Sequence, residues 1–277
     1  MSRLTPRLAA RLFAFFFTRP GRQKLPRHEK HWLLQATARP VRISTGELVP
    51  LYEWRDSSPF HGVRDEAPLP TVLLVHGFGG RAGQMGGFAA PLVAQGYRVV
   101  AFDAPAHGAA EGSRSSLPEM LEVTQQIAAQ LGPLAGVVAH SNGAAAVVMA
   151  LTQGMRAEKV ALVAPMTDLQ SFIQRLGAQL GFSGSVAAAA QARVEARYDL
   201  PFATLKAANL TDQVSQPTLI LQDVTDRIVP LEEVEQLAQN WPNAELEVST
   251  GLGHNRILRD AGSIARVVSH IGAPRPH

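Results

Sequence analysis

"GVVAHSNGAAAVVMAL", Gly136 to Leu151, sets one serine between an apolar run and an Ala-rich run. Leu134–His140 reads as a strand buried on both faces, and Asn142–Gly154 as a helix. Ser141 therefore stands at a strand-to-helix turn, where two readings compete. It is an ordinary helix N-cap, or it is a nucleophile held in a strained turn of positive φ. The second reading needs small residues two positions either side of the serine, and Ala139 and Gly143 are both small. Such an elbow is usually G-x-S-x-G. The methyl of Ala139 asks for a slightly opened turn and does not abolish it.

Apolar runs and helical patterns alternate on both sides of this stretch. "VRISTGELVPLYEWR" (Val41–Arg55) reads as a hairpin turning at Thr45-Gly46, followed by a polar, Pro-bearing loop over residues 56–70. Further strands are expected at Thr71–Gly77, Arg98–Asp103, Lys159–Pro165, Pro217–Asp223 and Ala244–Ser249. Helices are expected between them, over the segment ending at Gly96 and over Pro118–Leu131, 230–240 and Ile257–His270. This alternation predicts an α/β fold, a parallel sheet with helices on both faces. About fifty residues between Pro165 and Pro217 carry no strand signal but show helical spacing. They predict a helical insertion leaving the sheet at the carboxyl end of a strand, either a lid over a site or a plain surface excursion. The expected organisation is a basic N-terminal arm (1–42), a core (43–165 and 214–277) and a helical cap (166–213).

The chain has 277 residues, 46% of them hydrophobic, enough for one large domain with a buried core. It has no cysteine, which excludes disulfides, thiolate metal sites and cysteine nucleophiles and suits a cytoplasmic, reducing compartment. No apolar run reaches the roughly 18–20 residues that span a bilayer. Residues 1–42 hold ten Lys and Arg against one acid, Glu29, for a net charge of +9, so the remainder carries −6. The basic character belongs to the arm, and a nucleic-acid surface on the body is not indicated. Within residues 1–20, Leu4, Leu8 and Leu12 recur every four positions, continued by Phe15 and Phe16, and Arg3, Arg7 and Arg11 follow one step around. This basic amphipathic helix docks on the acidic body, lies on an anionic membrane, or is a degenerate export signal.

A serine nucleophile needs a base, and the base needs an orienting acid. Asp226 stands three residues past a buried strand, at the same end of the sheet as Ser141, and His254 in a glycine-bounded loop after the last strand. The oxyanion of acyl transfer needs two donors. The N–H of Asn142 opens the helix after Ser141, and the N–H of Phe78 lies in the loop "HGFGGRAGQMGGF". That loop matches neither phosphate-binding glycine pattern. Asp223 and Asp168 are rival candidates for the acid, and Asp103 and His107 read as a structural turn. Phe78, Met85, Phe88, Asn142, Met166 and Phe172 are candidates to line an apolar substrate pocket.

Five segments occur in order: "LLVHGFGG", "VVAFDAPAHG", "AHSNG", "LQDVTDRIVP" and "GLGHNRIL". With these the chain resembles the α/β-hydrolase superfamily from about residue 41 onward, and in particular small bacterial hydrolases of unassigned substrate that begin with a basic arm. The resemblance implies an eight-stranded, mostly parallel sheet with a cap after strand six. It implies Ser141 as nucleophile, Asp226 as acid and His254 as base, with no metal or organic cofactor. The A-x-S-x-G form is similar to that of some bacterial lipases. Asn142 departs from the pattern, since a bulky apolar residue is common there, and so does Asp223, where glycine is common. The expected activity is hydrolysis of small-molecule carboxylic esters, with thioesters, lactones and lipids as alternatives and a non-catalytic binding protein on the same scaffold as another.

Overall fold

A computed structural model of the protein describes residues 5–22, 24–56 and 69–273. Arg3, Leu4 and residues 57–68 of the expected loop lie outside the described residues. The strands are β1 (Thr37–Arg42), β2 (Leu48–Trp54), β3 (Thr71–Val75), β4 (Arg98–Phe102), β5 (Gly136–His140), β6 (Val160–Val163), β7 (Thr218–Asp223) and β8 (Ala244–Ser249). They form one eight-stranded sheet in the order β1-β2-β4-β3-β5-β6-β7-β8. β2 runs antiparallel to β1 and β4, and all other pairs are parallel. The hairpin turns at Gly46, which takes φ of 98°, a conformation open to glycine at no steric cost. The sheet begins at Thr37, so the last residues of the expected arm are strand.

β3, β5, β6 and β7 are buried along their whole length, because helices cover both faces, as apolar runs without alternation require. On one face α4 (Leu117–Leu131) and α5 (Asn142–Thr152) pack over Leu73, Val75, Val137 and Leu162. On the other, α3 (Ala89–Ala94) and α10 (Ala261–Gly272) pack over Val72, Leu74, Val138 and Ala161. The last helix starts later than expected. A short α9 (Gly253–Arg256) and a 3-10 turn end at Asp260, whose carboxylate accepts the N–H of Ser263 at 2.8 Å and caps α10.

Between β6 and β7 lie α6 (Leu169–Gln179), α7 (Gly184–Tyr198) and three 3-10 turns, ahead of α8 (Leu231–Gln239). The N-terminal α1 (Pro6–Phe17) docks on this insertion. Its inward face is Ala9, Ala10 and Phe13, all buried. The Phe13 ring sits against Phe182, 5.4 Å between centroids, and over Gly177. Full burial of the Phe13 side chain stabilises the docking by about 2 kcal/mol. The arm is thus held by apolar contacts rather than by charge, and the stripe Leu8, Leu12, Phe15 and Phe16 is exposed. α2 (Arg27–Leu33) packs on the 3-10 helix Ala82–Phe88, where buried Glu29 and Arg81 pair at 2.6 Å. Among the described residues no helix is long and apolar enough to cross a membrane.

Candidate active site

Ser141 takes φ of 52° and ψ of −123° between β5 and α5. Only glycine adopts such a φ readily, so a serine here stores strain of about 1–3 kcal/mol. The turn is held by its neighbours: Ser141 N–H donates to Val163 O at 3.1 Å, and Ser141 O accepts from Met166 N–H at 3.2 Å. α5 can start this close to β3 because residue 143 is glycine. A Cβ there would lie 2.3 Å from His76 O and 2.9 Å from Val75 O. The methyl of Ala139 points into the core, where it is fully buried.

The structure brings three candidate side chains together. Ser141 Oγ lies 3.0 Å from His254 Nε2, and His254 Nδ1 lies 2.8 Å from Asp226 Oδ2. The other carboxylate oxygen, Asp226 Oδ1, accepts the N–H groups of Ile228 at 2.8 Å and Val229 at 3.0 Å. Burial pushes the Asp226 carboxyl up, but the hydrogen bond and charge of His254 and these two N–H groups outweigh it and leave its pKa lowered. An ionised Asp226 accepts from Nδ1–H. Nε2 is then the bare nitrogen and accepts from the Ser141 hydroxyl.

The rival acids are engaged elsewhere. Asp223 ties together the loops that present Asp226 and His254. It accepts from Thr225 Oγ1 at 2.6 Å, Ser249 Oγ at 2.8 Å and Leu252 N–H at 2.9 Å. Burial opposes its charge, yet these donors hold it below the ordinary carboxylate range. Asp168 caps α6 by accepting Ser171 N–H at 2.9 Å. Asp103 accepts Ala82 N–H at 2.7 Å and Ala109 N–H at 2.8 Å and holds the turn at Gly108. His107 Nδ1–H donates to Pro105 O within the same turn, at 2.9 Å.

Two further groups support the site without a prior signal in the sequence. Gln222, fully buried, donates to Val229 O at 2.7 Å and approaches Asp226 Oδ2 at 3.4 Å. His140 Nε2–H donates to His254 O at 2.9 Å, with ring centroids 4.7 Å apart. Burial first, and then the neighbouring imidazole of His254, lower the His140 pKa to about 3, so it stays neutral and holds the backbone of His254.

A cavity of about 180 Å³ opens beside Asn142, the residue after the serine. Phe78 and Asn142, the two candidate oxyanion donors, line it, as does Phe172. Most of the remaining wall is apolar and comes from the insertion between β6 and β7 and from α1, which supplies Phe13, Phe16 and Phe17, while Ser116, Leu117 and Pro118 at the start of α4 complete it. Among the described residues no carboxylate lines it. Asn142 Oδ1 is buried there without a hydrogen-bond partner among the described residues. Met85, Phe88 and Met166 do not line the cavity. Part of the Gly-rich loop, Ala82–Phe88, is a 3-10 helix, whose three-residue period turns Met85 and Phe88 to the same side, into the core with Leu74 and Leu258. Met166 is buried in the core on the other face.

Residues 66–204 match the family Hydrolase_4, described as serine aminopeptidase, S33. The chain belongs to this family of α/β-hydrolases. Its fold is similar to that of an esterase from Pyrococcus furiosus, at 18% identity and a TM-score of 0.67, covering 92% of this chain and 96% of that one. It is also similar to Est1E from Butyrivibrio proteoclasticus, with ferulic acid bound, at 16% identity and a TM-score of 0.62, covering 85% and 96%. The thioesterase domain from the curacin biosynthetic pathway aligns at 19% identity and a TM-score of 0.61, covering 85% and 98%. No curated protein matches the chain significantly in sequence.

Proposed function

We propose that this α/β-hydrolase cleaves carboxylic esters through an acyl-enzyme on Ser141. The observation that carries the proposal is the unbroken chain from Ser141 Oγ through the His254 imidazole to an ionised, buried Asp226. His254 Nε2 takes the serine proton as Oγ attacks the ester carbonyl. The imidazolium is stabilised by Asp226, and the oxyanion by the N–H groups of Phe78 and Asn142. His254 then protonates the leaving alkoxide, and water releases the acid by the reverse sequence. The acyl chain occupies the apolar cavity. A substrate with a free α-ammonium fits that cavity poorly, because among the described residues no carboxylate lines it to offset the charge. A non-catalytic scaffold would have no need of the strain held at Ser141.

The test is labelling by a fluorophosphonate probe, together with hydrolysis of p-nitrophenyl esters of rising chain length. Wild type is labelled and Ser141→Ala is not. kcat/KM rises about fourfold per added methylene until the cavity is full, from roughly 0.8 kcal/mol per buried CH2. Equal labelling of the two proteins, or a flat chain-length profile, overturns the proposal.

A further inference from the structure

The ten large hydrophobic side chains exposed among the described residues include four on one face of α1: Leu8, Leu12, Phe15 and Phe16. Helical spacing puts them in a single arc along a helix of about 18 Å. Arg7 and Arg11 flank the arc, exposed and without an ion pair among the described residues. The Arg19 guanidinium lies over the Phe15 ring, 3.8 Å from its centroid. The segment from residue 5 to residue 28 has no acid, and the first one, Glu29, is buried against Arg81. An apolar stripe with basic residues beside it suits a surface of acyl chains under anionic headgroups. The stripe also runs into the cavity. Phe16, 65% exposed, and Leu180, 58% exposed, both line it, so its mouth opens beside the stripe.

We propose that the outer face of α1 docks the protein on an anionic lipid bilayer, with the cavity mouth turned toward the acyl layer. The inner face, Ala9, Ala10 and Phe13, is already used against the cap, so α1 lies in the plane of the membrane surface and the cap moves with it. Acyl chains pass between Phe16 and Leu180 without crossing water. That last step rests on the ester-hydrolase reading, and the docking does not.

The experiment is co-sedimentation of the full chain with vesicles of phosphatidylcholine alone and with added phosphatidylglycerol. Ser141→Ala is run in parallel, so that a failure of the catalytic reading leaves binding intact. Wild type and Ser141→Ala bind the anionic vesicles and not the neutral ones. Leu8→Ser/Leu12→Ser/Phe15→Ser, which replaces no residue that lines the cavity, loses binding and keeps wild-type hydrolysis of soluble p-nitrophenyl butyrate. Arg7→Glu/Arg11→Glu lowers affinity roughly tenfold or more. The proposal is overturned if wild type ignores anionic vesicles, or if the triple variant binds them equally. It is also overturned if sedimentation velocity without lipid shows a dimer that the triple variant dissociates, because the face then belongs to a second copy of the chain.

Discussion

Replacing Asp226 by Asn tests the proposed mechanism at its most constrained atom. The substitution keeps size and shape, and the structure dictates how the amide must orient. Two N–H groups, from Ile228 and Val229, point at Oδ1, so the amide oxygen takes that position and the amide nitrogen takes the place of Oδ2. An N–H group then faces His254 Nδ1, which lay 2.8 Å from the carboxylate. The imidazole answers by moving its proton to Nε2, where it faces Ser141 Oγ and cannot accept the serine proton. Losing the charge-assisted hydrogen bond to the imidazolium costs about 2–3 kcal/mol. Restoring the reactive tautomer against an opposing N–H costs about as much again. The sum, about 4–6 kcal/mol, corresponds to three to four powers of ten in rate. The assay is the second-order rate of fluorophosphonate labelling with the thermal midpoint measured alongside. A labelling rate within tenfold of wild type, on a folded protein, refutes the assignment. Asp168→Asn is the control: it weakens a helix cap by about 1 kcal/mol or less and leaves the labelling rate unchanged.

Stability should fall steeply below neutral pH. Burial lowers the pKa of His76 to about 4 and those of His107 and His140 to about 3. Below their unfolded value of about 6.5 the unfolded chain binds protons that the folded one refuses. Asp103, pushed up by burial, takes up a proton in the fold and offsets one of the three at most. The net slope is roughly 3–4 kcal/mol per pH unit below pH 6, measurable by urea unfolding at pH 7, 6 and 5, and a flat profile would refute it. Gly143→Ala sets a methyl 2.3 Å from His76 O. Relieving that contact moves α5 against β3 by nearly 1 Å, costing roughly 2–3 kcal/mol of stability and about a hundredfold in labelling rate. Wild-type values for both would show that the elbow is not tightly held.

Most of the sheet was legible because its strands are written as unbroken apolar runs, which only a strand covered on both faces tolerates. What escaped the sequence depends on partners that a linear pattern does not carry. The resemblance prefers Asp226 to Asp223 in "LQDVTDRIVP", but the physical reason lies in the donors around each: Thr225, Ser249 and Leu252 consume the first, while the second keeps an oxygen for His254. The glycines of "HGFGGRAGQMGGF" suggest an irregular loop and so free Met85 and Phe88 for a pocket. Instead part of it is a 3-10 helix against which α2 packs at Gly83 and Gly86, where an added Cβ would press on Glu29 and Trp32, and that contact is remote in the chain.

The N-terminal helix shows the limit most clearly. It has two apolar faces, one of Leu8, Leu12, Phe15 and Phe16, the other of Ala9, Ala10, Phe13 and Phe17. Hydrophobicity alone favours the first as the buried one, and the structure buries the second. The receiving surface explains the choice. α7 offers Ala187 and Ala190, and α6 offers Gly177, so the helices approach closely and leave room for one ring, Phe13, over Gly177. Leucines at those positions would hold the helices apart. The small residues of the insertion thus select the smaller face of α1 and turn the larger one outward, beside the mouth of the cavity. Bulking up that contact with Gly177→Leu would push Phe13 out of its seat and distort the cavity wall. It should lower hydrolysis of long-chain esters more than that of acetate esters, whereas an equal loss across the panel would mean that α1 plays no part in holding the acyl chain.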